Sequence, residues 1–319
     1  MKGKHKIVVQ NKNLHYEFEI KRNITIIQGD SATGKTTLID MLRTHDSLGD
    51  SSGISVSSDV PCKILEGRDW KLILSNYSGV IFFTDEENTF VQTEEFAHAV
   101  KNSDNYFVII TRENLYLLPI SVDEIYGMHS SGKYQNTRRV YQELYHIYSH
   151  EDSYPITPEK IITEDSNSGY QFFNEICKQH NLECISAEGN ANIFRLLSSV
   201  NSEETCIIAD GAAFGAHMNR IFQNIKNKQN VHLYLPESFE WIILMTGLID
   251  GSKVADMLAH TEDYAESKEF MSWEQFYTAT LINQSQNTYL QYSKSHLNPA
   301  YLHTATIKKI LDVIKGIKF

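Results

Sequence analysis

No apolar run in this sequence approaches the roughly 20 residues that a membrane-spanning helix needs. The basic start, Met1-Lys2-Gly3-Lys4-His5-Lys6, leads into only Ile7-Val8-Val9, too short for the apolar region of a signal peptide. A cytoplasmic protein with no membrane contact is expected. Cysteine is scarce. Cys62, Cys177, Cys184 and Cys206 show no paired metal-ligand spacing, so buried reduced thiols are expected. Cys177 with His180, and His146 with His150, could each hold two ligands on a helix, but neither has a second pair nearby in sequence. Positive charge is short as well. The formal net charge of −11 argues against a broad grip on nucleic acid driven by counterion release. Local basic clusters remain: Lys133, Arg138 and Arg139, then Lys308, Lys309, Lys315 and Lys318. The latter share a stretch with Ile307, Ile310, Leu311, Ile314 and Ile317, the pattern of an amphipathic docking helix. Proline is rare, and two of the six fall within residues 151–158, which reads as a linker.

What is present is more specific. Gly29-Asp30-Ser31-Ala32-Thr33-Gly34-Lys35-Thr36 fits G-x-x-x-x-G-K-[ST], the phosphate-binding P-loop. Two glycines let the backbone curl so that its N–H groups converge on phosphate oxygens. Lys35 adds a point charge toward the β- and γ-phosphates, and the Thr36 hydroxyl suits Mg²⁺. Thr37 continues the same nucleotide-binding run. Residues 23–28 read as a buried strand and residues 37–42 as a helix, so the motif sits between strand and helix as its chemistry requires. Residues 80–86 form a hydrophobic strand ending in Asp85 and Glu86, the pattern of a Walker B element. Asp85 is the expected Mg²⁺ residue, and Glu86 the expected catalytic base that polarises water, working with Lys35. Residues 106–110 form a third strand, ending at Thr111 and Arg112; either is placed to sense a γ-phosphate.

Residues 6–10 and 14–20 read as a hairpin before the P-loop strand. Hairpin, Walker A and Walker B together resemble the opening of ABC-type and SMC-type ATPases, in a reduced form. Only about fifty residues separate the two Walker motifs, and no Leu-Ser-Gly-Gly signature is present. The absence of an Asn-Lys-x-Asp motif favours ATP over GTP. Residues 134–148 read as an aromatic helix closing this first domain.

The second half alternates strand and helix. Strands are expected at 160–163, 182–186, 205–209 and 231–235, which implies a small parallel sheet with acids at the strand ends. That order resembles a Toprim domain, in particular the kind fused to ATPases in the OLD family of phage-exclusion nucleases. The resemblance implies a metal site at Glu164, Asp210 and Glu240. Ala212 stands where the second acid of the expected Asp-x-Asp pair would be, so one weakly held metal is expected, with slow or no DNA cleavage. Towards the C-terminus, Ser272-Trp273-Glu274-Gln275 matches a capping box, and Asn298-Pro299 reads as the start of the last helix.

The expected fold is therefore α/β. A P-loop NTPase domain (1–150) and a linker (151–158) precede a smaller Toprim-like parallel-sheet domain (159–248) and a helical extension (249–319). The expected function is ATP binding and hydrolysis, with ATP and Mg²⁺ as cofactors, coupled to a Toprim-like effector in phage defence or a mobile element. The expected partner is another protein or a second copy of the chain. A nucleotide-dependent scaffold with an inactive second domain is the alternative, and a small-molecule kinase a third reading.

Overall fold

The structure is a computed structural model and describes residues 1–29, 33–132, 138–148, 155–249 and 252–319. The chain divides into two compact units, Met1–Ser149 with Glu262–Ser272, and His150–Thr261 with Trp273–Phe319. A nine-stranded sheet lies in the first and a four-stranded parallel sheet in the second, so the chain is mixed α/β.

In the first unit, β1 (His5–Gln10) and β2 (Leu14–Ile20) form the antiparallel hairpin. Asn11 makes its turn, accepting on its side-chain oxygen from the N–H groups of Asn13 and Leu14, both at 2.8 Å. β3 (Ile24–Ile27) is wholly buried and leads to α1 (Lys35–Leu48). There follow β4 (Ser55–Ser57), β5 (Cys62–Ile64), α2 (Trp70–Ser75), β6 (Ile81–Thr84), α3 (Glu94–Lys101), β7 (Tyr106–Ile110), β8 (Ile125–Ser130) and β9 (Val140–His146). The strand order is β4-β1-β2-β9-β8-β3-β7-β6-β5. Strands β8, β3, β7, β6 and β5 run parallel, so the segments after β3, β5, β6 and β7 meet at one edge.

These central strands read as continuous apolar runs because both faces are covered. Ile81 and Phe83 join Ile27, Val108 and Ile110 in one core with Leu38, Ile39 and Leu42 of α1. Phe82 faces the other way and stacks on Phe107 at 5.9 Å, and Phe107 meets Phe96 of α3 edge-on. Leu38 and Ile39 are at most 1% exposed. Burying each such side chain stabilises by about 1.5–3 kcal/mol. That packing fixes α1, and with it the chain just before α1.

One expectation is overturned here. Within residues 134–148, the described part contains β9, a strand, where a helix is expected; 134–137 and Lys133 lie outside the described residues. Pairing decides it: β9 bonds parallel to β2 on one side and antiparallel to β8 on the other, which bridges the hairpin to the parallel strands. Tyr and Val in 140–146 suit that half-buried strand.

The second unit runs β10 (Lys160–Thr163), α4 (Ser168–Gln179), β11 (Glu183–Ser186), α5 (Asn190–Ser198), β12 (Thr205–Ile208), α6 (Gly215–Ile225), β13 (Val231–Tyr234) and α7 (Phe239–Met245). Then come α8 (Ser252–Ala259), α9 (Trp273–Ser285) and α10 (Thr304–Val313). The sheet order is β11-β10-β12-β13. The chain thus reverses direction across the sheet between β10 and β12, where open parallel sheets carry their crevice.

Two helix starts differ from expectation. α9 begins after Ser272, but the Ser272 hydroxyl is buried without a hydrogen-bond partner, so it makes no capping bond. Asn298 caps a short 3-10 turn at Pro299–Leu302, accepting from the Ala300 N–H at 3.0 Å, and α10 starts only at Thr304. Ile307 and Ile310 are the buried face of α10, while Ile314 and Ile317 lie past its end. All four cysteines are free; Cys177 and Cys206 are buried, and Cys62 and Cys184 half-buried. Among the described residues, no helix is long and apolar enough to cross a membrane.

Candidate functional sites

The glycine-rich loop joins the end of β3 to α1. Asp30, Ser31 and Ala32 lie outside the described residues. Gly29 and Gly34 flank them with φ of 117° and 95°, backbone that side chains rarely adopt. Lys35 is 7% exposed. Its ammonium donates to the Gly29 carbonyl at 2.9 Å and the Thr33 hydroxyl at 2.8 Å, folded back over its own loop. Thr36 and Thr37 are exposed on the first turn of α1.

Strand order brings the rest alongside. Thr33, Gly34, Lys35, Thr36, Thr37, Asp85, Glu86 and Arg112 line one cavity of about 210 Å³. Asp85 and Glu86 follow β6, and Arg112 follows β7, its neighbour in the sheet. Asp85 is held on both oxygens. Its Oδ1 accepts from the Asn88 side chain at 2.7 Å and the Glu87 N–H at 3.1 Å, and its Oδ2 lies 3.4 Å from Arg43 Nη2. Arg43, on α1, also donates to Glu66 at 2.7 Å and to Asp40 at 2.7 Å. The Glu66 bond raises the guanidinium further above its ordinary pKa. Glu86 Oε2 sits 3.2 Å from Arg112 Nε. Thr111, the other sensor candidate, is buried, and its hydroxyl accepts from the Glu113 N–H at 3.0 Å. Of the two, Arg112 is the one that reaches the cavity.

Sequence reasoning missed Arg43 and Glu66. Arg43 lies about two turns past the motif on a helix whose charged face looks like ordinary solvated surface. Glu66 follows the three-residue strand β5, too short to register as a pattern.

In the second unit, Glu164 follows β10, Asp210 follows β12, and Glu240 sits in the first turn of α7. All three line one small cavity of about 30 Å³. Glu164 Oε2 accepts from the Asp210 N–H at 3.1 Å. Burial pushes the Glu164 carboxyl up to about 7, and burial with the charges of Glu274, Glu164 and Glu240 holds Asp210 well above the carboxylate range. Glu240 is 2% exposed; its Oε1 accepts from the Tyr292 phenol at 2.8 Å, and that phenol is also bonded to Ser168. Ala212 is buried, its N–H donating to the Glu237 carbonyl.

A cation is built into this cluster. Lys294 lines the same cavity and bonds Glu274. Burial alone would lower its pKa, but Glu274, Glu240 and Asp210 hold the ammonium above its ordinary value. Lys294, Tyr292 and Ser168 come from segments with no motif, and the capping-box match that holds Glu274 says nothing of this role, so only the tertiary fold reveals them. Among the described residues, no group of three or more His, Cys, Asp or Glu is arranged to hold a metal ion.

Compared with known protein-family models and with curated proteins, the chain matches none.

Proposed function

We propose that this chain binds ATP with Mg²⁺ and hydrolyses it, and that the nucleotide state acts on the second unit as a contact surface for another protein or a second copy. The observation that carries the reading is the shared cavity of Lys35, Thr36, Asp85, Glu86 and Arg112 beside a glycine-flanked helix start. Thr36 and Asp85 fit Mg²⁺ as a hydroxyl and a carboxylate facing one cavity; the ion would neutralise phosphate charge there. Lys35 exchanges its loop oxygens for phosphate oxygens. Glu86 orients a water whose oxygen bonds the γ-phosphorus as the bond to the ADP oxygen breaks, and it takes the water proton.

The second unit is read as Toprim-like and catalytically weak or inactive. Lys294 supports this, because an ammonium among Asp210, Glu240 and Glu274 supplies charge that a metal would otherwise supply. The setting suggested by the resemblance is phage defence or a mobile element, in the cytoplasm. The test is to assay purified protein side by side for ATP turnover and plasmid nicking, with Mg²⁺ and with Mn²⁺. Turnover lost in Lys35→Ala, with no robust nicking, is the expected result. Absence of ATP binding by calorimetry would refute the nucleotide reading. Strong Mn²⁺-dependent nicking, lost in Glu164→Ala and Asp210→Ala, would refute the inactive second unit.

A further inference from the structure

Asp85 and the loop after β5 are tied into one closed ring of hydrogen bonds. Asn88 Nδ2 donates to Asp85 Oδ1 at 2.7 Å, and Asn88 Oδ1 accepts from the Gly67 N–H at 3.0 Å. Gly67 directly follows Glu66, whose Oε2 accepts from Arg43 Nη2 at 2.7 Å. The same Nη2 returns to Asp85 Oδ2 at 3.4 Å and closes the ring. Chemistry fixes the order of donors. A carboxylate only accepts and a peptide N–H only donates, so the amide between them stands one way round, nitrogen to Asp85 and oxygen to Gly67.

The frame around the ring is firm. Gly67 has φ of 78°, and a Cβ there would meet nothing within 4 Å, so the glycine serves the turn of the backbone. Before it, the Leu65 N–H donates to the Phe83 carbonyl of β6 at 2.8 Å. After it, Trp70 at the start of α2 stacks at 4.9 Å on Phe90, in the 3-10 turn Thr89–Gln92 that follows Asn88. The two oxygens of Asp85 are thereby made unequal. Oδ1 accepts from Asn88 and from the Glu87 N–H at 3.1 Å, which uses both its lone pairs. Among the described residues, Oδ2 has only the long contact to Arg43, so it keeps a lone pair for a cation.

We infer that Asn88 is a positioning residue for Mg²⁺ at Asp85, acting with Gly67, Glu66 and Arg43 as one ring that reserves Oδ2 for the ion. The inference rests on the reading that the chain binds ATP with Mg²⁺. Asn88 belongs to no motif, and its partner Gly67 lies twenty-one residues earlier in another loop.

Calorimetry of the full chain tests this in four proteins: wild type, Asn88→Ala, Arg43→Ala and the double variant. ATP is titrated at a series of Mg²⁺ concentrations and again in EDTA. Asn88→Ala is expected to raise the Mg²⁺ concentration for half-maximal ATP binding about tenfold, as loss of a group that orients a metal-facing carboxylate does. The ATP Kd in EDTA should stay as in the wild type, because the ring touches the ion and not the phosphates. The double variant should lose no more than the larger single loss, since either change opens the same ring. An unchanged Mg²⁺ requirement in either single variant, or losses that multiply in the double, would overturn the ring. An equal weakening with and without Mg²⁺ would reduce Asn88 to a structural role. Asn88→Leu fills the space and makes neither bond, so it decides the matter in the same way even if Asn88→Ala fails to fold. A wild type that binds no Mg-ATP would instead remove the nucleotide reading and the inference with it.

Discussion

Arg43 Nη2 lies 3.4 Å from Asp85 Oδ2, while the same guanidinium holds Glu66 at 2.7 Å. The long contact to Asp85 and the short one to Glu66 show what anchors the arginine. Glu66 fixes Arg43, and Arg43 in turn keeps Asp85 in one orientation with its second oxygen bound by Asn88 and Glu87. Asp85 is only 15% exposed, so its rotamer is set by these neighbours.

If Asp85 meets Mg²⁺ as proposed, Arg43→Ala should therefore loosen that contact. Groups that orient a metal-facing carboxylate are typically worth 10–100-fold in metal affinity. The Mg²⁺ concentration for half-maximal ATP binding should rise about tenfold, and Arg43→Lys should recover part of it. An unchanged or lower Mg²⁺ requirement would show that Arg43 serves Glu66 alone.

Glu86 and Arg112 form an arginine–acid pair in the cavity lining, and both are well exposed, at 43% and 55%. An exposed pair contributes little to stability, about 0–1 kcal/mol. Glu86→Gln and Arg112→Gln should leave the melting temperature nearly unchanged. Glu86→Gln should keep ATP binding and slow hydrolysis by about 10²–10⁴-fold if Glu86 is the base. On the ATP-binding reading, Arg112→Gln should also slow turnover, since it removes the only partner seen for Glu86 among the described residues and a positive charge that lines the cavity. Full turnover in Glu86→Gln would remove Glu86 from the mechanism.

The sequence made some of this legible and hid the rest for physical reasons. β3, β6 and β7 are buried on both faces, so each is an unbroken apolar run that stands out, and Gly29, Asp85 and Arg112 follow soon after them. β9 was hidden because residues 140–146 mix polar and aromatic side chains at a half-buried position, a pattern shared by strand and helix; only its two neighbours in the sheet decide. β4 and β5 are three residues each, shorter than any period can register. In the second unit the acids at 164, 210 and 240 were visible because they end strands or open a helix. Lys294 was not, because its role depends on a loop after α9 returning to the sheet edge, and nothing local encodes that return.

Glu124 gives the first unit a pH dependence. It is fully buried, accepts from the Thr25 hydroxyl at 2.9 Å, and lies 3.7 Å from Arg22. Burial pushes its carboxyl up to about 7, against the opposing pull of Arg22 and Thr25. A carboxyl raised on folding binds its proton more tightly folded than unfolded. Its contribution is complete below about pH 4.5 and is lost as pH rises towards 7, up to about 3 kcal/mol in all. Glu124→Gln should flatten the fall in stability between pH 5 and 7, followed by urea unfolding. A profile in Glu124→Gln parallel to the wild type would show that Glu124 does not titrate in that window.

Lys294 gives the clearest test of the second unit. Its ammonium is half-buried among Glu274, Glu240 and Asp210, which raise its pKa despite burial. Lys294→Met keeps much of the side-chain bulk and removes the charge. Carboxylates left facing one another must then take up protons or a cation, because like charges at close range disfavour joint ionisation. The wild type should show little change in melting temperature with Mn²⁺, since its own ammonium already balances the cluster. Lys294→Met should melt lower without metal and recover with millimolar Mn²⁺, and Lys294→Met combined with Asp210→Asn should lose that recovery. If wild type and Lys294→Met respond equally to Mn²⁺, the ammonium does not stand in for a metal, and the acids at 164, 210 and 240 regain their standing as a cation site in the native chain.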